Sequence, residues 1–239
     1  MKAVILAGGK GTRLSPYTTI LPKPLMPIGE MPILEVLIRQ LKRAGVNEVI
    51  LTVGHLSELL KAFFKDGRRF GVNINYSQEE KPLGTAGPLG LIRDQLDEPF
   101  FVLNGDVLTT LNFSALMSRH KRGGALATIA MHKRSVRIDF GVLEMGNDHQ
   151  VVDYIEKPSI PYQVSMGVYA FDPKILTYIP DNSYLDFPDL VLSLIHNNLQ
   201  VDGYLFDGYW QDLGRPDDYA KASQDFETMR EKFLPPEEE

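Results

Sequence analysis

Arg13 and Lys23 stand close behind Gly8, Gly9 and Gly11 in the opening stretch LAGGKGTRLSPYTTILPKPLMPI. Backbone N–H groups of a glycine-rich turn after a strand can converge on phosphate oxygens, because no Cβ blocks the approach. A Walker phosphate loop would need GxxxxGK[ST], which is absent, and a dinucleotide fingerprint would open directly into a helix. Here proline-rich chain follows instead, and it cannot continue a regular helix. Lys23 lies between Pro22 and Pro24, which hold the backbone extended and limit where its ammonium can reach. The expectation is that Lys23 lies back across the loop near Arg13. Two fixed cations beside an amide-lined loop suit a triphosphate whose charge grows during displacement. The plainer alternative is a tight turn with a solvent-exposed Arg and a solvated Lys.

Such a loop needs a sheet behind it. KAVILA reads as a buried strand emptying into the glycines. PILEVLIRQLKRAG has helical apolar spacing, begins with Pro32 and closes on Gly45. VNEVILTVG, VNINYSQ and PFFVLNGD read as further strands, with helices over LSELLKAFFKDG and GPLGLIRDQL. This alternation predicts an α/β fold with a mostly parallel, Rossmann-like layered sheet. The second half is richer in strands (ALATIAMHK, FGVLEM, VVDYIEK, SMGVYAFD), which predicts antiparallel additions. A helix over DFPDLVLSLIHNN, a last strand or hairpin over VDGYLFDGYWQDL and a terminal helix complete the reading. Residues 1–239 are expected to form a single domain, with about 234–239 as a disordered tail.

The 239 residues are 44% hydrophobic and 23% charged, the balance of a globular chain with ample core. A formal net charge of −6 provides no basic field for nucleic acid. There is no cysteine, which excludes disulfides, zinc–thiolate sites and thiol catalysis. No apolar run is long enough for a membrane span, and the N-terminus does not read as a signal peptide. A cytoplasmic protein is expected, with a homo-oligomer left open. The five histidines are scattered without metal-ligand spacing.

The segment GGKGTRL…P…PKP resembles the signature of the sugar-1-phosphate nucleotidyltransferases. PLGTAGPL, LNGD, FGVLE, EKP, GVYAF and GYWQDLGRPDDY agree with that family in order, so the resemblance covers nearly the whole chain. It implies a glycosyltransferase-A-like fold and a Mg²⁺-dependent reaction between a nucleoside triphosphate and a sugar 1-phosphate, which releases pyrophosphate. It places Leu6, Ala7, Gly8, Gly9, Gly11, Thr12 and Arg13 around the nucleotide, with Arg13 and Lys23 as the catalytic cations. It also places Asn104 and Gly167 near the sugar phosphate. DLGRPDDY carries Arg215 where many relatives have Thr, and in this it resembles the mannose- or heptose-1-phosphate guanylyltransferases.

The remaining motifs can be weighed on their own chemistry. Asp106 ends an apolar strand at the carboxyl edge, where open α/β sheets bind ligands, and a carboxylate there can hold Mg²⁺ or cap a turn. Asp212 is flanked by apolar and aromatic residues, so an unpaired charge would be costly and a shared cation would relieve it. The resemblance assigns both aspartates to magnesium. Glu156 can accept from sugar hydroxyls and Lys157 can meet the sugar phosphate, or the two form a surface ion pair. Asp139–Gly141 reads DFG, but without the other kinase motifs that comparison fails, and Gly141 would let the backbone approach the sugar. Gly84 and Thr85 resemble the turn against the nucleobase, where a small residue permits close contact. Glu79 stands where thymidylyl- and uridylyl-specific relatives tend to carry Gln. An ionised Glu only accepts, which suits the adjacent donors of guanine and favours GTP over dTTP, UTP and CTP. The alternative to catalysis is a regulatory subunit that binds nucleotide sugars, but such relatives would have eroded the loop, the Lys or the carboxylates, and none is eroded here.

Overall fold

The computed structural model describes residues 1–236. From the N-terminus, β1 (Lys2–Leu6) leads through short 3₁₀ turns to the small pair β2 (Pro27–Ile28) and β3 (Met31–Pro32). Then come α1 (Ile33–Arg43), β4 (Glu48–Val53), α2 (Ser57–Phe64) and β5 (Asn73–Gln78). β6 (Phe100–Asn104), β7 (Val107–Thr109), α3 (Phe113–Gly123) and β8 (Ala127–Arg137) follow. The chain continues through β9 (Val142–Met145), β10 (Val151–Ile155), β11 (Ser159–Phe171) and α4 (Phe187–His196). It closes with β12 (Val201–Phe206), β13 (Trp210–Asp212) and α5 (Pro216–Phe233).

Seven strands form the main sheet in the order β12-β8-β11-β6-β1-β4-β5. The expected parallel half is present as β6-β1-β4-β5. The antiparallel additions expected of the second half are present. β11 alone runs antiparallel, to β6 and β8, while β12 lies parallel to β8. β9 and β10 leave the sheet as a separate antiparallel arm.

Alternation along the strands feeds two cores. Ala3, Ile5, Phe101 and Leu103 point to the side covered by α1, α2 and α3. Val4, Phe100 and Val102 point to the side of α4. A third cluster ties α5 to the β7 and β13 region through Leu108, Leu213, Phe226 and Phe233.

α1 follows the apolar spacing of Leu34, Leu37, Ile38 and Leu41, with Pro32 just outside its first residue. Gly45 at φ +87° ends it. Gly87–Gln95 is a 3₁₀ run kinked at Ile92, not the regular helix its apolar spacing predicts, because Pro88 and two glycines weaken α-helical propagation. Of the last strand or hairpin expected over VDGYLFDGYWQDL, the strand alternative holds, since β12 joins β8 whereas β13 pairs with β7. Of the expected tail, Leu234 N–H still donates to Arg230 O at 2.8 Å, and Pro235 O accepts from Arg43. Positions 237–239 lie outside the described residues. No helix among the described residues is long and apolar enough to cross a membrane.

Candidate active site

β1, β4 and β6 end together beneath one cleft of about 730 Å³. The loop after β1 is held from behind. Thr18 Oγ1 donates to Gly11 O at 2.8 Å, and Gly105 N–H donates to Leu6 O at 3.0 Å. Gly11 has φ +60°, and a Cβ there would meet Thr18 at 3.0 Å. Gly9 differs, since nothing lies within 4 Å of where its Cβ would be. The loop therefore presents bare backbone to the cleft on a rigid support. Thr18 was not singled out by the sequence reading, because a threonine in a proline-rich stretch carries no motif.

Lys23 does not sit in extended chain as its flanking prolines suggest. Pro22 is extended, but Lys23–Leu25 form a 3₁₀ turn with Pro24 at its second position. That turn buries Lys23 to 8% exposure and directs its ammonium into an ion pair with Asp106. Its Nζ also lies 3.9 Å from Asp212 Oδ1. The two aspartates meet because β13 pairs with β7, setting Asp212 opposite Val107, while Leu213 N–H donates to Asp106 O at 3.0 Å. Arg13 is exposed and lies over Gly214, where a Cβ would stand 3.3 Å from its guanidinium carbon.

Burial pushes the Asp212 carboxyl above the usual carboxylate range, and the neighbouring charge of Asp106 adds to this. Lys23 and Arg13 pull the other way. A further cation would complete the compensation. Two carboxylates, one from the turn between β6 and β7 and one from the end of β13, are a fitting donor set for Mg²⁺, which binds through one or two carboxylates with phosphate and water oxygens filling the rest. Among the described residues, no group of three or more His, Asp or Glu could hold a metal.

The structure brings most of the sequence-predicted residues together. Leu6, Ala7, Gly8, Gly9, Gly11, Thr12, Arg13, Lys23, Glu79, Gly84, Thr85, Asn104 and Asp106 all line the cleft. Gly167, at φ +69° in a register break of β11, packs on Asn104, whose Nδ2 would be 2.5 Å from a Cβ there. Gly141, Glu156 and Lys157 cluster with one another but do not line the cleft. Glu156 accepts from Tyr154 OH at 3.0 Å, and Lys157 Nζ lies 3.8 Å from its other oxygen.

At the far end of the cleft the packing adds constraints that the sequence does not display. Gly84 is required by φ +78° and by Leu185 O, which would stand 2.6 Å from a Cβ. Thr85 turns its hydroxyl away to α4, accepting from Phe187 N–H at 2.8 Å. Glu79 does not point to solvent. One carboxylate oxygen accepts from Leu83 N–H at 2.7 Å, the other lies against Gly8, and burial raises its carboxyl's pKa. Tyr184 and Asp186 were missed altogether; Tyr184 is tied to Asp186 and Asp186 to Thr85, 101 positions away, and no local pattern marks them.

The nucleotidyl transferase family model matches residues 2–229. The chain is 38% identical over 235 residues to a mannose-1-phosphate guanyltransferase of Schizosaccharomyces pombe, covering 93% of this chain and 63% of that protein. It is 34% identical over 241 residues to a UTP–glucose-1-phosphate uridylyltransferase of Synechocystis, covering 93% and 62% respectively. The chain thus spans less than two thirds of the length of these curated relatives. Among solved structures, HddC from Yersinia pseudotuberculosis superposes with a TM-score of 0.74 at 25% identity, covering 94% of this chain and 99% of that one.

Proposed function

Because the chain belongs to the nucleotidyl transferase family, we propose that it transfers a nucleotidyl group from a nucleoside triphosphate to a sugar 1-phosphate. A phosphate oxygen of the sugar phosphate attacks the α-phosphorus, the bond from that phosphorus to the β-phosphate's bridging oxygen breaks, and pyrophosphate leaves. The nucleophile is already anionic at neutral pH, so no protein base is required. Catalysis is then positioning and charge stabilisation.

The observation that carries this reading is Lys23, buried against Asp106 and close to Asp212 at the floor of a cleft edged by bare glycine backbone. Loop N–H groups and Arg13 would take the leaving phosphates, and Lys23 would meet charge gathering at the α-phosphorus. Asp106 and Asp212 would hold Mg²⁺, which when bound screens the phosphate oxygens from the incoming anion. Glu156, Lys157 and Gly141 are assigned to the sugar phosphate together with Asn104 and Gly167.

GTP is the favoured donor, and a mannose- or heptose-type phosphate the favoured acceptor. Glu79 supports this choice of base, since its oxygen beside Gly8 can accept from guanine's adjacent N–H groups. The test is pyrophosphate release by purified protein across four NTPs and several sugar 1-phosphates. GTP with a mannose- or heptose-type acceptor is expected to give the highest turnover. Glu79→Gln should shift preference toward UTP or dTTP, with about 1–3 kcal/mol of discrimination at stake. A wild type that prefers a pyrimidine triphosphate refutes the base assignment and leaves the transfer chemistry standing; no release with any pair refutes both.

A further inference from the structure

Tyr184 is the only Phe, Tyr or Trp among the described residues lining the cleft, and it is 64% exposed. An aromatic ring so exposed ordinarily swings freely, but this one is anchored at its tip. Its hydroxyl donates to Asp186 Oδ2 at 2.6 Å. The other oxygen of Asp186 accepts from Thr85 N–H at 2.9 Å and from Thr85 Oγ1 at 3.1 Å. The backbone is stitched in the same place: Leu185 N–H donates to Leu83 O at 2.9 Å, and Leu185 O accepts from Ala86 N–H at 2.9 Å and Gly87 N–H at 3.0 Å. A strap around residue 185 is therefore fixed to the turn around residue 85, and it holds an aromatic face open to the cleft.

The other end of that cleft is committed to charge, with the glycine loop, Arg13, Lys23 and Asp106. Tyr184 adds a flat ring to a lining that also includes Pro82 and Pro88, with Glu80 and Lys81 just before Pro82. Resting on the proposed use of a nucleoside triphosphate, we infer that the base stacks on Tyr184, and that Asp186 is the positioning residue that keeps the ring in place. Every base has a π face, so stacking adds affinity without choosing among bases. Holding the ring before the ligand arrives lowers the ordering cost of binding. Affinity for the base and choice of base are thereby divided between Tyr184 and Glu79.

Calorimetric titration of wild type, Tyr184→Ala and Tyr184→Phe with GTP, UTP and ribose 5-triphosphate, which has no base, separates the possibilities. Tyr184→Ala is expected to weaken GTP and UTP alike by about 5- to 100-fold and to leave ribose 5-triphosphate unchanged. Tyr184→Phe, which keeps the ring and loses its anchor, should fall between. Asp186→Asn should weaken GTP in the wild-type background and have no further effect beside Tyr184→Ala, a dependence that a merely structural carboxylate would not show. Wild-type affinity of Tyr184→Ala for both nucleotides, or an equal loss for ribose 5-triphosphate, overturns the stacking assignment alone. A wild type that binds ribose 5-triphosphate as tightly as GTP also overturns it. Failure of the wild type to bind any of the three overturns the nucleotide reading, and this inference with it.

Discussion

The glycine-loop floor of the cleft and the β9–β10 arm hold their polar groups by opposite means. At the floor, Lys23 is buried, both aspartates are brought in by strand pairing, and the loop backbone is braced by Thr18 and Gly105. On the arm, Leu143, Met145, Val151, Val152, Tyr154 and Ile155 are all about half exposed or more. Glu156 and Lys157 there are held by each other, by Tyr154 and by the backbone of Gly141. The floor is built before any ligand arrives, whereas the arm's groups have no framework beyond their own ribbon. Nucleotide recognition should thus depend on single atoms, and sugar recognition on contacts that complete only with substrate.

The sharpest way to break that comparison is at the two aspartates. Asp106→Asn and Asp212→Asn should each lower turnover by on the order of 10³-fold in Mg²⁺. Asp212→Asn should at the same time melt no lower than wild type without metal. Its ionised form is disfavoured in the fold by burial and by Asp106, and Asn removes that charge. Full activity at limiting Mg²⁺, measured as pyrophosphate release, would make either residue a structural cap.

Arg13→Ala comes next, with an expected loss on the order of 10²-fold in kcat. Its exposed position predicts an unchanged Tm. Near wild-type turnover would move the leaving-group contact elsewhere on the loop.

A smaller effect is expected on the arm. Glu156→Ala and Lys157→Ala should raise KM for the sugar 1-phosphate by about tenfold, the scale of one lost hydrogen bond to a charged group. KM for the nucleotide and the melting temperature should hold. A change in nucleotide KM instead would show that the arm belongs to the floor after all.

The smallest effect lies at the root of β8, the strand that leads out to the arm. His120 is buried against Thr128 Oγ1 at 2.9 Å, and burial lowers its pKa despite the opposing charges of Asp172 and Asp202. In the unfolded chain it takes a proton near pH 6.5. The unfolded state therefore binds more protons in mild acid, and stability falls as pH drops below about 6.5. Tm should decline by about 2–4 °C for each kcal/mol lost, with a flatter slope in His120→Asn. Equal slopes in the two proteins would remove His120 as the cause.

Local features were legible and distant pairings were not. β1, its loop and α1 follow from a short apolar run, three glycines and a repeated apolar spacing, all read within a dozen residues. Lys23 was legible as a constrained cation, but its turn was not, since Pro at the second helical position is as acceptable as extended chain. The meeting of Asp106 with Asp212 needs strands β7 and β13, about a hundred positions apart, to find each other. Gly84 shows how a glycine can answer to a constraint that its own stretch of sequence does not display. Its glycine answers to the Leu185 carbonyl, which no reading of GTAGPL could supply. The arm's strands were visible as apolar runs, but their departure from the sheet is decided by packing that the runs do not encode.

β11 spans thirteen residues, and its two halves live in different surroundings. From Met166 onward its side chains are buried, apart from Gly167, which has none, and it pairs with β6 from Val168 and again with β8 from Tyr169, so that this end is clamped between them. Its first half is exposed and ladders only with β8, in the part of the chain that carries the arm. Mechanically this is a beam fixed at one end and free at the other, with its register break at the clamp. Gly167 sits at that break, against Asn104 in the cleft wall. A load applied at the free end therefore concentrates its bending at the fulcrum that touches the cleft.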